Sequence, residues 1–217
     1  VVARTEKKVQ KRSQGISLFI VDTKTEGLEI KPLQQFGMKA THTNRIHFHE
    51  MRIPKRNLLG ELNRGWYHLL STLNNERIIL AAMGLGIAEA AYEDALRYAR
   101  ERQAFGKPIG QFQAIQHRIV DMAVGIETSR LLVYKAATMQ SQGRPCGVEA
   151  TMAKLVASET AYRNASEGMH ILAGHGYMMD TDMQRYFRDA RLGTFSPVSN
   201  DMARNYIGEN LGLPRSY

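Results

Sequence analysis

The sequence contains a single cysteine, Cys146, among its 217 residues. One cysteine excludes a disulfide within the chain and a metal site built from several thiolates, and it favours a reducing compartment. Runs of about 18 or more apolar residues are also lacking, so the sequence predicts no membrane-spanning helix. What is present is 43% hydrophobic and 23% charged residues, a composition that supports a buried core and argues against disorder.

The chain is basic, with a formal net charge of +8. Basic chains favour anionic partners such as nucleic acid, nucleotides, CoA or acidic lipid. The basic residues are spread along the chain apart from Lys7–Arg12, a short run more typical of a solvated loop than of a nucleic-acid arm. Walker, GxGxxG, HExxH and GxSxG patterns are missing. His42, His47 and His49 lack a complete ligand set, so we interpret them as solvated strand histidines and predict no metal site.

Residues 1–60 have the patterns of β-strands. Two short runs rich in branched residues, Ile16–Val21 and Leu28–Ile30, follow Gly15 and Gly27, and Arg45–Ile53 alternates apolar and polar side chains. The chain opens on what reads as the middle of a strand, so we expect the intact protein to extend further upstream.

From Gly65 the apolar period becomes helical, and we predict five helices. They cover residues 64–101, 111–141, 147–172 and 181–191, and a last helix is capped by Ser196 and Pro197 and ends before Gly212. The glycines of Ala173–Gly176 are expected to stop the third helix. The predicted fold class is mainly α: a long-helix bundle over residues 61–217, preceded by the end of an antiparallel β-domain over residues 1–60.

Two apolar stripes predict which helix faces are buried. The first helix carries Leu69, Leu73, Leu80, Met83 and Ile87 at helical spacing. The second helix carries Phe112, Ile115, Ile119, Met122, Ile126 and Val133, spaced as in the seam of a helix bundle.

Four segments resemble the acyl-CoA dehydrogenase family in their order and separation. Arg102–Ile109, followed by Phe112 and Gln113, is similar to the family's RxxFGxxI…Q signature. The other three segments are Gly37–Gly60, Ile171–Tyr177 and Arg188–Arg191. The resemblance covers essentially the whole chain, and it implies the C-terminal portion of such an enzyme.

The resemblance implies FAD-dependent α,β-dehydrogenation of an acyl-CoA thioester, in which a carboxylate takes the α-proton and the flavin N5 takes the β-hydride. It also implies an electron-transferring flavoprotein as acceptor, a homotetramer, and a location in the bacterial cytoplasm or the mitochondrial matrix. In the family, a Thr-Glu-Pro motif and a tryptophan-containing strand behind the flavin precede the part matched here. We therefore expect the chain alone to purify nearly colourless.

The general base that the resemblance implies is Glu76. Most members of the family carry the base in a Tyr-Glu-Gly-Thr motif, but the matching position here is Pro197, which accepts no proton. Isovaleryl- and long-chain-type members place it on the first long helix, directly before an arginine. That segment matches Asn74, Asn75, Glu76 and Arg77, and its other three residues are the implied substrate-binding residues.

Helical spacing leads to Glu76 independently of the resemblance. At about 100° per residue, Glu76 lies on the same stripe as Leu80 and Ile87, which predicts a buried carboxylate. A buried carboxylate is costly unless it is paired or functional. The alternative is a structural glutamate paired with Arg77 or Arg118.

Four residues match cofactor-binding positions of the family. Arg102 matches the arginine that reaches the flavin pyrophosphate across a subunit interface, a role that suits a guanidinium fork. Phe105 and Gln113 match flavin-contacting positions, although packing and a helix-start hydrogen bond explain them equally well. Gly174 matches a turn beside the adenosine half of FAD, and it also suits a plain helix stop.

Two other functions stay open on the sequence alone. Loss of the common glutamate is compatible with a relative that acts as a reductase or as a non-catalytic partner subunit. The charge by itself is compatible with a basic helical nucleic-acid-binding protein, although no recognition motif supports it. Acyl chain length and branching are not readable, and Gly84 and Gly86 give only a hint of space for an acyl chain.

Overall fold

A computed structural model of the chain describes residues 1–215, with the side chain of Ser71 excepted. The described residues form two compact units: residues 1–35 with 39–73, and residues 36–38 with those from 74 onward. The change from strands to helices comes earlier than the unit boundary, at Gly65. The sequence-based division between residues 60 and 61 stays a prediction.

The first unit contains two small antiparallel sheets. Strands β1 (Val2–Arg4), β2 (Ile16–Phe19) and β5 (Leu58–Leu59) form one sheet, in the order β1-β2-β5. Strands β3 (Leu28–Pro32) and β4 (Asn44–Phe48) form the other. The pairings between these strands are antiparallel, as the sequence predicts.

The helices begin at Gly65 and continue to the C-terminal end of the described residues. They are α1 (Gly65–Glu101), α2 (Gln113–Ser141), α3 (Gly147–Leu172), α4 (Gly174–Tyr177), α5 (Met183–Gly193) and α6 (Asn200–Asn210). A two-stranded hairpin, β6 (Gln103–Ala104) with β7 (Lys107–Pro108), separates α1 from α2. The predicted mainly α class is confirmed, and the first four predicted helices agree with α1, α2, α3 and α5 to within two residues at each end.

Helix α1 buries a different face from the one that its large apolar residues predict. Its fully buried positions are mostly small ones: Ala81, Leu85, Ala88, Ala91, Ala95 and Ala99. Leu80 and Ile87 are only half-buried, and Met83 is 42% exposed. A Cβ added at Gly84 would lie 3.2 Å from the carbonyl oxygen of Ala157, so α1 and α3 approach too closely for large side chains.

The predicted seam of α2 is confirmed. Met122 and Ile126 are buried in one core cluster against which Ile115 and Ile119 pack, and Val133 is buried in a second cluster. The core also contains a buried amide on α3. The Asn164 side chain donates from Nδ2 to the backbone carbonyls of Ala88 and Met122, at 3.3 and 3.2 Å, and so links three helices.

The start predicted for the last helix was wrong. Helix α6 begins at Asn200, and its N-cap is Ser199, whose Oγ accepts a bond from the Met202 amide at 3.2 Å. Ser196 belongs instead to the end of α5, since its amide donates to the carbonyl of Leu192 at 3.0 Å. A serine caps a helix only where its oxygen reaches a free amide of the first turn, and Ser196 has no such position.

The stop of α3 also differs from the expected glycine stop. The helix ends at Leu172 as predicted, but the residue with positive φ is Ala173, at +49°. An alanine in this region is strained because its Cβ approaches the backbone, and glycine avoids that contact.

Ala173→Gly should therefore stabilise the fold. Relief of the strained φ outweighs the larger unfolded-state entropy of glycine, for a net gain of about 1 kcal/mol. Urea unfolding measures the change. The control is Ala82→Gly, at an exposed position inside α1, which should lose about 1 kcal/mol. A loss of stability for Ala173→Gly as well would show that Ala173 is not strained.

Candidate functional site

The hairpin between α1 and α2 presents an aromatic side chain to solvent. Its two-residue turn is Phe105-Gly106, with φ of +56° and +79°. Positive φ at both positions is the geometry of a type I′ turn, which favours asparagine or glycine and makes phenylalanine unusual. The Phe105 side chain is 94% exposed. Its ring makes an edge contact with the ring of Phe112, with the two centroids 6.1 Å apart. A strained, exposed aromatic residue is a feature of binding sites.

Arg102 and Gly174 lie in one cavity beside this hairpin. The cavity has a volume of about 540 Å³ and is lined by Tyr98, Arg102, Ile109, Ile171, Leu172, Ala173, Gly174, His175 and Met178. Arg102 is exposed, and nothing lies within 4 Å of the position where a Cβ would stand on Gly174. The cavity thus combines a guanidinium group with an open backbone turn, a donor set that suits a phosphate or pyrophosphate.

The other two predicted cofactor residues are outside the lining of this cavity. Phe105 is at the tip of the hairpin, and Gln113 is the exposed first residue of α2. The structure therefore brings Arg102 and Gly174 together directly, and it presents Phe105 and Gln113 on adjacent parts of the chain.

Glu76 lies on α1 and is exposed in this chain, so the prediction of a buried carboxylate was wrong. The reason is the choice of face: α1 buries its alanines, and the stripe with Glu76 remains at the surface of the described chain. Among the described residues, Glu76 has no ion-pair partner. Arg77 instead donates to Asn74 Oδ1 at 3.2 Å, and Arg118 pairs with Glu167. The alternative of a structural glutamate paired with either arginine is not the arrangement found.

The neighbours of Glu76 form a polar cluster at the start of the second unit. The Arg77 guanidinium carbon lies 5.5 Å from the centroid of the Tyr206 ring, so α6 contacts this part of α1. Asn74 is half-buried, and Asn75 is exposed. The three implied substrate-binding residues therefore flank Glu76, with Arg77 held by two neighbours.

The face of α1 that carries Glu76 leads to a small apolar cavity. Leu80, Met83 and Ile87 follow Glu76 at intervals of four, three and four residues, and all three line the cavity. Its volume is about 30 Å³, and its lining also includes Leu192, Gly193 and Ser196, at the end of α5 and just beyond it. Gly84 lines it too and packs against α3, whereas Gly86 faces open space.

One residue near this cavity escaped the sequence analysis. Lys154 on α3 is 1% exposed, and its Nζ donates to the carbonyl of Val198 at 2.6 Å and to Asn200 Oδ1 at 2.7 Å. A sequence signal existed, because Lys154 interrupts a helical repeat of alanines at 150, 153, 157 and 161. A lysine on an otherwise apolar helix face indicates a buried partner.

Burial lowers the pKa of Lys154 from its ordinary value of 10.5 to about 8, and the nearby Glu159 carboxylate opposes the shift only in part. A lysine whose folded pKa is depressed binds fewer protons in the folded state than in the unfolded state between pH 8 and 10.5. As pH rises from 8 to 10.5, Lys154 should therefore increase the free energy of unfolding by on the order of 1–3 kcal/mol. Below pH 8 its contribution should not change with pH. Urea unfolding of wild type and Lys154→Met at several pH values measures this as a difference in slope. Equal slopes would contradict it.

No helix of the described residues is long and apolar enough to cross a membrane. The described residues likewise contain no group of three or more His, Cys, Asp or Glu side chains placed to hold a metal ion. His47 and His49 stack with ring centroids 6.2 Å apart, and His49 Nε2 lies 3.5 Å from Glu29 Oε2.

Comparison with known proteins identifies the class. Residues 63–212 match the family model "Acyl-CoA dehydrogenase, C-terminal domain". The probable acyl-CoA dehydrogenase YngJ of Bacillus subtilis is 41% identical over 90% of this chain and 52% of its own length. The 3-(aryl)acrylate reductase of Clostridium sporogenes is 37% identical over 97% of this chain and 56% of its own length. The structure of butyryl-CoA dehydrogenase from Megasphaera elsdenii superposes with a TM-score of 0.92, at 36% identity, over 97% of this chain and 55% of that one.

The long-helix bundle is thus the C-terminal helical domain that this family model describes. The chain belongs to the acyl-CoA dehydrogenase family. It spans about half the length of the curated relatives that it matches. These matches do not support the alternative of a nucleic-acid-binding protein.

Proposed function

We propose that the intact protein catalyses the FAD-dependent α,β-dehydrogenation of an acyl-CoA thioester, with Glu76 as the general base. The observation that carries the proposal is the position of Glu76. It is a carboxylate without an ion-pair partner among the described residues, on the helix face that leads to an apolar cavity. The residue at the usual base position, Pro197, has no proton acceptor on its side chain.

In this mechanism the Glu76 carboxylate takes the α-proton of the thioester. A thioester α-proton is a weak acid, so the base must lie within hydrogen-bond reach of it in the bound complex. Leu80, Met83 and Ile87 continue from Glu76 along α1 and receive the acyl chain by apolar contact. Arg77, held by Asn74 and Tyr206, supplies positive charge beside the thioester region.

Arg102 and Gly174 would hold the pyrophosphate and the adenosine half of FAD. Their shared cavity fits this role because it joins a guanidinium fork to a turn where no side chain blocks approach. Phe105 and Gln113 add exposed contacts on the adjoining hairpin and on α2. FAD, when bound, accepts the β-hydrogen as a hydride.

Anaerobic mixing of the intact protein with a panel of acyl-CoAs tests the function. Straight-chain, branched-chain and aryl-substituted thioesters should be included, because the sequence does not define the length or branching of the acyl chain. Bleaching of the flavin absorbance by at least one of them is the expected result. An absorbance unchanged by every acyl-CoA would refute the dehydrogenase proposal.

A second candidate is reduction of an α,β-unsaturated substrate. The similarity to a 3-(aryl)acrylate reductase, together with Pro197 at the usual base position, favours keeping it. Pre-reduced protein mixed with enoyl-CoAs or aryl acrylates distinguishes the two. Rapid reoxidation of the flavin by these compounds, without bleaching by saturated acyl-CoAs, would favour the reductase.

We further propose that the intact protein forms a homotetramer and passes its electrons to an electron-transferring flavoprotein. Self-association is supported by an exposed apolar face on α2, formed by Val120, Val124, Leu131 and Tyr134. Such a face on a monomer is a surface for a second copy of the chain. Light scattering that shows only monomer at high concentration would contradict self-association.

A further inference from the structure

Lys154 holds the chain segment that follows α5. In the described part of the chain it is the only charged side chain that is buried, and both acceptors of its Nζ, Val198 O and Asn200 Oδ1, lie in or next to this segment. A buried ammonium is costly, and two short hydrogen bonds compensate it only while the acceptors stay in place. The position of Val198 and Asn200 relative to α3 is therefore coupled to Lys154.

Asn200 is held from several sides. Ser158 Oγ donates to its Oδ1 at 3.2 Å, and its own Nδ2 donates to Glu159 Oε1 at 3.4 Å. Glu159 also pairs with Arg204 of α6 at 2.6 Å. Three residues of α3 thus bind the start of α6, and Lys154 supplies the buried, charged member of the set.

The held segment adjoins the apolar cavity on the Glu76 face of α1. Ser196 and Gly193 line that cavity together with Leu80, Met83 and Ile87. Displacement of Val198 and Asn200 would move Ser196, two residues before Val198, and change the size and shape of this cavity. Lys154 itself lies outside the lining of the cavity, so its effect is indirect.

We propose that Lys154 is a positioning residue: its ammonium fixes the segment Ser196–Asn200 against α3, and the fixed segment shapes the apolar cavity on the Glu76 face and thereby the choice of acyl chain by the intact protein. The second part rests on the proposed dehydrogenase function. The first part does not, and the two are tested by different measurements.

Hydrogen exchange on the intact protein tests the fixed segment. Lys154→Met removes the donors and keeps an unbranched side chain, and the control is Lys135→Met, at an exposed lysine of α2. The amides of Asn200, Met202 and Ala203, which are bonded in the wild type, should exchange about tenfold faster or more in Lys154→Met only. Unchanged exchange of these amides would overturn the proposal.

Flavin reduction by short, branched and long acyl-CoAs tests the selectivity. In Lys154→Met the ratio of kcat/KM between the preferred and a poor acyl-CoA should change by about tenfold, through KM, with kcat within a few-fold of wild type. A purely structural role would lower kcat/KM for all acyl-CoAs by the same factor, and that result would overturn the proposed effect on selectivity. If no acyl-CoA reduces even the wild type, the proposed function fails together with the selectivity, while the exchange data still decide whether Lys154 holds the segment.

Variants of Asn200 keep the test decisive if Lys154→Met does not fold. Asn200→Ala removes one acceptor and should reproduce the faster exchange and the altered ratio. Asn200→Asp retains an oxygen for Lys154 but replaces the amide donor to Glu159 with a second carboxylate oxygen, so its exchange and its ratio should lie nearer to wild type than those of Asn200→Ala. Equal behaviour of the two Asn200 variants would contradict a role for the Lys154–Asn200 bond.

Discussion

Glu76→Gln should lower the rate of flavin reduction by acyl-CoA by about 10²–10⁴-fold. Glutamine keeps the shape and the hydrogen-bonding capacity of glutamate but cannot take the α-proton. Binding of acyl-CoA should be retained, because apolar contact and the CoA portion supply most of the affinity. Stopped-flow reduction under anaerobic conditions gives the rate, and the dependence on acyl-CoA concentration gives the binding.

The matched control is Glu93→Gln, an exposed glutamate on the same helix. It should reduce its flavin at the wild-type rate. If Glu76→Gln also stays within a few-fold of wild type, Glu76 is not the base, and the proton acceptor must be sought elsewhere in the intact protein.

Arg102→Ala should weaken FAD binding by the intact protein about 10²–10⁴-fold. Each hydrogen bond from a charged donor to a phosphate contributes roughly 1.5–3 kcal/mol, and the guanidinium fork can make two of them. Arg102→Lys keeps the charge and loses the fork, so its affinity for FAD should lie between those of wild type and Arg102→Ala. Fluorescence titration of apoprotein with FAD measures the dissociation constants.

The control for this series is Arg97→Ala, which removes an exposed arginine one turn earlier on α1 that pairs with Asp94. It should leave the FAD affinity unchanged. If Arg102→Ala binds FAD as tightly as wild type, the cavity lined by Arg102 and Gly174 is not the site of the FAD pyrophosphate.

The candidate site residues could be proposed from the sequence because short local patterns contain them. The RxxFG run predicted Arg102 and Phe105, and the structure places Arg102 in one cavity with Gly174 although about 70 residues separate them. The Asn74–Arg77 segment predicted Glu76 through a short match beside an arginine. What spacing could not predict was exposure, since the burial of Glu76 depends on which face of α1 the neighbouring helices cover.

Lys154 was out of reach of the motif search for a related reason. Its partners, Val198 and Asn200, follow it by 44 and 46 residues, and only the fold brings them to hydrogen-bond distance. The cap of the last helix was missed in the same way. Ser196 and Ser199 are chemically equivalent, and which of them caps α6 depends on where the turn after α5 ends.

The sequence alone determined the class of the fold, the length and number of the long helices, the family, and the residue types available for proton transfer and phosphate binding. These depend on period, composition and short motifs, which are properties of neighbouring residues. The tertiary structure decided which face of α1 is buried, which residue caps α6, and that a buried lysine binds the chain at the start of α6. Those outcomes depend on how closely the helix backbones approach each other. Where α1 meets α3 the separation is short, so α1 buries mostly alanine and glycine there rather than its largest side chains.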